Sequence, residues 1–100
     1  MIEKLERLAA AGIRILPSPG AGTHFFLERD GFVILVRRAG DDFGAAGSAG
    51  LLTDHGFAVL VWRGAQAFFV ARGYEQAAGP EQLEMLRRFD ADVRASLSSP

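Results

Sequence analysis

The sequence predicts an α+β domain: an antiparallel sheet of about four or five strands, made from two hairpins and packed by N- and C-terminal helices. Three observations carry that reading. Two turn dipeptides, Asp30-Gly31 and Gly64-Ala65, each sit between runs rich in Val, Phe, Ile and Leu, as hairpin strands require. Leu83, Leu86, Phe89, Val93 and Leu97 recur at helical spacing near one end of the chain, and Ile2, Leu5 and Leu8 do so near the other, which marks two amphipathic helices. At 100 residues, 49% of them apolar and 23% charged, the chain holds material for one core, so residues 1–100 read as a single domain.

The first helix is expected over Ile2 to Ala11, with Glu3 four residues before Arg7 and Gly12 placed for a left-handed cap. Ile13 to Leu16 is a short apolar piece that runs into Pro17-Ser18-Pro19-Gly20, a loop because prolines restrict their own and the preceding backbone. Thr23 to Arg29 and Phe32 to Arg38 form the first hairpin around Asp30-Gly31, a pair suited to the positive dihedrals of a type I′ turn. The Gly- and Ala-rich stretch from Gly40 to Gly50 reads as a connecting loop with Phe43 as its one large anchor and a brief helix over Asp42 to Ala46. Leu51 to Thr53 adds a short strand that enters the second hairpin through Asp54-His55-Gly56, with Gly56 in the left-handed position of a bulged loop. Gly56 to Trp62 and Gln66 to Arg72 then flank a glycine-first turn, as type II′ demands. Gly79-Pro80 opens the last helix, since proline suits the first helical position and Glu81 the positive first turn.

Composition excludes several classes of function. There is no cysteine, so disulfides, thiolate nucleophiles and Cys-ligated metals are out. Eleven Lys and Arg against 12 Asp and Glu give a net charge of -1, which gives nucleic acid or an anionic membrane no bulk attraction. The longest apolar runs, Phe32 to Val36 and Phe57 to Trp62, are far shorter than the ~20 residues of a spanning helix. The first residues mix charges of both signs into an apolar stripe, unlike a secretory signal, so a cytoplasmic location is expected.

Chemical motifs fare no better. His24 and His55 are separated from each other and from Asp41, Asp42 and Asp54 by spacings that match no metal motif. Asp42-Phe43-Gly44 copies a kinase tripeptide without the accompanying loops, and Gly20-Ala21-Gly22-Thr23 lacks the Lys-Ser/Thr end of a phosphate loop. Arg29, Arg37, Arg38, Arg63 and Arg72 fall at strand ends, where they protect a sheet edge as readily as they bind phosphate. No catalytic residue, metal ligand or cofactor is predicted.

The alternation of side chains says more. In the first hairpin Leu27 opposes Ile34 and Phe25 opposes Val36, while Phe26 and Leu35 share the reverse face with His24, Glu28, Val33 and Arg37. In the second, Val59, Val61, Phe68 and Val70 line one face and Ala58, Leu60, Trp62, Ala67, Phe69 and Ala71 the other. Both faces are apolar, which an antiparallel sheet with one wet face is not. Two helices are scant cover for two such faces. They lie on opposite faces, or share one and leave the other to a second copy, or the strands curl around a cavity.

The order helix, hairpin, small-residue segment, hairpin, helix is similar to that of Roadblock-type dimerisation modules. That likeness implies a scaffold role around small GTPases, with no signature residue carried over. The leading expectation is a non-catalytic interaction module that self-associates as a homodimer through apolar sheet surface, with Phe57, Leu60, Trp62 and Phe69 as contacts and Trp62 as anchor. A protein partner is the natural extension. The alternative is a small-molecule-binding domain in which Phe25, Phe26, Phe43, Trp62 and Phe69 enclose an apolar pocket for a small ligand and His24 or Arg37 orients a polar group.

Overall fold

Positive φ at both Asp30 (55°) and Gly31 (88°) gives the first hairpin the turn its dipeptide predicts. The computed structural model describes residues 2–16 and 22–98; the expected Pro17 to Gly20 loop, and with it Gly20 and Ala21 of the Gly20-Ala21-Gly22-Thr23 motif, lie outside them. The chain runs α1 (Ile2–Ala10), β1 (Arg14–Leu16), β2 (His24–Arg29), β3 (Phe32–Ala39), β4 (Asp42–Thr53), β5 (Gly56–Arg63), β6 (Gln66–Ala71), β7 (Tyr74–Ala77) and α2 (Pro80–Leu97). All strands join one antiparallel sheet in sequence order, a meander from β1 to β7.

The α+β class and the two helices agree with expectation, but the sheet has seven strands rather than four or five. Ile15 of the short piece after α1 pairs with Leu27, and Val70 of β6 pairs with Glu75 of β7, so both ends of the meander gain a short edge strand. The larger correction is β4. Asp42–Thr53 is one 12-residue strand, with neither the loop nor the brief helix expected there. The chain therefore runs helix, seven-stranded meander, helix, not the helix, hairpin, small-residue segment, hairpin, helix on which the Roadblock likeness rests.

Two register shifts explain how so weak a strand former is accommodated. Ile34 pairs with Ala49, Val36 with Ala46 and Arg38 with Phe43, so β4 carries one extra residue in each interval, as a bulge does. Phe43, Ala46 and Ala49 therefore all face the core at a spacing of three instead of two. A glycine follows each of them. A Cβ at Gly44 would lie 2.9 Å from the Arg37 carbonyl oxygen, at Gly47 3.3 Å from that of Leu35, and at Gly50 2.3 Å from that of Ala58. Close backbone, of β3 beside the bulges at Gly44 and Gly47 and of β5 at Gly50, thus favours the residue that makes the segment read as a loop.

Both helices lie on the same side of the sheet. The core there joins Leu8 and Ile13 with Leu27, Phe32, Ile34, Val36, Phe43, Ala49, Ala58, Ala67 and Phe69, and with Leu86, Phe89 and Val93 of α2. Phe32 packs between Phe69 and Phe89, with ring centroids 6.5 and 6.4 Å away. Polar clamps fix the layers. Arg29 donates to the Ala11 carbonyl at 2.9 Å and to Asp92 at 2.8 Å, tying β2 to the end of α1 and to α2. Arg7 donates to the carbonyls of Ser96 and Ser98, where a cation also meets the negative end of the α2 dipole. Lys4 pairs with Asp42 at 3.1 Å. The Asp42 carboxyl is held below its ordinary range, first by the Phe43 N–H it accepts and then by Lys4.

Candidate functional site

Because both helices share one face, no helix among the described residues lies over the reverse face. The pairings place its rows side by side. Phe26 and Leu35 are partners, as are Val61 and Phe68; the next row runs Glu28, Val33, Gly50, Val59, Val70 and Glu75; Leu52 and Phe57 close the far end. Val33 is fully buried yet stands outside the helix-side core, since its neighbours on the bare face cover it. Gly50 makes room for one of them: the Phe57 ring occupies the space a Cβ would fill, at 2.7 Å from its position. The cover is partial. Val59 remains 46% exposed and Leu52 44%.

Charges bound this patch. Glu28, nearly buried in it, accepts from Arg14 at 2.7 Å and from the Gly31 N–H at 2.9 Å. The Arg14 hydrogen bond holds the Glu28 carboxyl below the usual carboxylate range, against the opposing pull of desolvation and with help from Gly31. At the other edge Arg63 pairs with Glu75 and lies over the Phe68 ring, 5.0 Å from its centroid. His24 and Arg37 face each other at the strand ends, and His24 Nδ1 shares a hydrogen bond with Thr23.

The expected contact residues do not share a surface. Phe57 is on the bare face, half-buried. Leu60, Trp62 and Phe69 are on the helix side, where Phe69 is fully buried in the core and Trp62 is 52% exposed at the margin. Nor do the five aromatic residues proposed for a pocket enclose one. Phe25 packs against Phe43, ring centroids 4.6 Å apart and planes tilted by 49°, under the Arg38 guanidinium, Phe26 points to the opposite face, Phe69 is core, and Trp62 lines a groove beside α2. His24 begins β2 at one end of the sheet, and His55 sits in the β4–β5 turn at the other, 5.6 Å from the Tyr74 ring. Among the described residues, no three His, Asp or Glu side chains are grouped to hold a metal ion, and no helix is long and apolar enough to cross a membrane.

Leu60 and Trp62, two of the expected contact residues, do meet in one groove, a place the alternation of the strands does not specify. Ser48 and Ala49 of β4, Leu60 and Trp62 of β5, and Leu86, Arg87, Asp90 and Arg94 of α2 line an open hollow of about 400 Å³. It exists because α2 rests on β3 and β4 and leaves Leu60 half-buried and Trp62 exposed on β5. No protein-family model matches this chain, and comparison with curated proteins and with solved structures gives no match either.

Proposed function

We propose that this protein is a non-catalytic interaction module that pairs with a second copy of itself through the helix-free face of its sheet. The observation that carries the reading is the make-up of that face: Phe26 with Leu35, Leu52 with Phe57, Val59 with Val70 and Val61 with Phe68 are cross-strand pairs on it, with both helices spent on the other side. Burying an exposed Val, Leu or Phe side chain contributes roughly 1.5–3 kcal/mol when complete. A two-fold arrangement applies each gain twice, because the same patch serves both partners. The rim supports the pairing, since Arg14 with Glu28 and Arg63 with Glu75 leave the edges polar and charge-balanced.

Light scattering during size exclusion tests the proposal. The native chain is expected to show the mass of two chains at micromolar concentration. Val59→Glu, at a position exposed enough to solvate the new carboxylate within one chain, is expected to show the mass of one with an unchanged circular dichroism spectrum. A native chain of single mass across the concentration range, or a Val59→Glu dimer, overturns it.

A further inference from the structure

The geometry points to the groove between α2 and β5 as a binding site for a small amphipathic carboxylate, its apolar body on Leu60 and Trp62 and its anion on Arg87. This site lies on the opposite face from the proposed dimer contact and stands independently of it. Two cations and one anion line the groove, and the three are not equivalent. Arg94 is already engaged, donating to Asp90 at 3.0 Å and to the Gly47 carbonyl at 2.9 Å. That carbonyl belongs to the bulged part of β4, so the fold itself holds Arg94 in place.

Arg87 differs. Among the described residues it has neither an acidic partner nor a hydrogen bond, and it borders two adjoining hollows, the groove and a second of about 330 Å³ lined by Ala65, Gln66, Ala67, Ala78, Pro80 and Leu83. With Arg87 lining both hollows, and a half-exposed indole, Leu60 and Leu86 sharing the groove with it, the site presents one anion-binding group and an apolar bed. A single carboxylate on a compact hydrocarbon or aromatic body satisfies both, through a charge-assisted fork at Arg87 and stacking or apolar contact at Trp62. A multiply charged phosphate would find only one uncommitted cation, and a neutral apolar molecule would leave Arg87 unused.

Trp62 is the chain's one tryptophan, so its fluorescence reports on this groove alone. The experiment titrates 3-phenylpropionate and, as the uncharged analogue, 3-phenylpropan-1-ol into the native chain and into Val59→Glu, reading Trp62 emission and backbone amide NMR shifts. The carboxylate is expected to give a saturable response in both proteins, with affinity roughly fivefold or more above the alcohol, as one partly exposed charged contact supplies. Arg87→Gln, a solvent-facing change that leaves the core intact, is expected to erase the difference between the two ligands. An absent response, equal affinities in the native chain, an advantage that survives Arg87→Gln, or shifts centred on Val59, Val61 and Phe68 would each overturn the assignment.

Discussion

Replacing Gly50 with alanine attacks a point where β4, β5 and the bare face meet. The new Cβ falls 2.3 Å from the Ala58 carbonyl oxygen and 2.7 Å from the Phe57 ring. The carbonyl cannot retreat freely, because Leu51 pairs with Ala58 and Gly50 with Val59 in the same ladder; the ring can turn away only by leaving the space over Gly50. Overpacking of this kind costs about 1–3 kcal/mol, and uncovering part of an aromatic ring takes the expected loss to roughly 2–3 kcal/mol. At the urea slopes of about 1–2 kcal/mol/M found for small domains, the midpoint should fall by roughly 1–3 M with little change in slope. The measurement is made at one protein concentration, since association would shift the midpoint by mass action. A second substitution separates the two clashes. Phe57→Ala in the Gly50→Ala background removes the ring but not the carbonyl, so the double variant should be more stable than the sum of the single losses predicts, by about 1 kcal/mol. A Gly50→Ala loss below about 0.5 kcal/mol, or strict additivity with Phe57→Ala, would refute the account of the glycine and the ring as a fitted pair.

Glu28 should give the domain a specific acid sensitivity. Its carboxyl is held low in the folded chain, so its contribution is present above the unfolded-state value near ~4.3 and is lost as pH falls through the folded value. Glu28→Gln should cost about 1 kcal/mol at neutral pH, modest because Arg14 is solvated, and the gap to the native chain should close in acid; parallel urea midpoints from neutral to acid pH would count against it. Arg29→Ala should lower stability by about 1–2 kcal/mol through lost hydrogen bonds and lost packing over Phe89, with hydrogen exchange rising first at the end of α1. Arg29→Lys should recover only part, since an ammonium can imitate the two bonds made by Nη1 but not the planar guanidinium packed over Phe89; full recovery would show that charge alone suffices.

The parts of the fold that were legible in the sequence are those set by local chemistry. Asp30-Gly31 and Gly64-Ala65 fixed the pairings Leu27 with Ile34 and Leu60 with Phe69, and Gly79-Pro80 fixed the start of α2, where Gln82 accepts the Gly79 N–H. β4 was hidden because Gly, Ala and Ser have little strand preference of their own. Its true signal is a period of three, with Phe43, Ala46 and Ala49 each followed by glycine, which becomes readable only once bulges are admitted. The terminal strands escaped for a simpler reason: Arg14–Leu16 and Tyr74–Ala77 are too short to show alternation.

The candidate surface was legible as two apolar faces and no further. Nothing in the alternation of Val59, Leu60, Val61 and Trp62 states which side the helices take; that follows from α1 and α2 packing on each other as well as on the sheet, with Arg7 joined to the end of α2. Phe57 also has the opposite parity to Leu60 and Trp62, so a contact set containing all three spans both sides of one strand.

The central claim is that a second copy covers the bare face, and isotope-filtered NOE spectroscopy on a mixture of labelled and unlabelled chains tests it most directly. The account predicts cross-peaks between copies from the methyl groups of Val59 and Val61 and the ring of Phe68. Cross-peaks confined to Leu60, Trp62 and α2, or none in a sample whose mass is that of one chain, would contradict it.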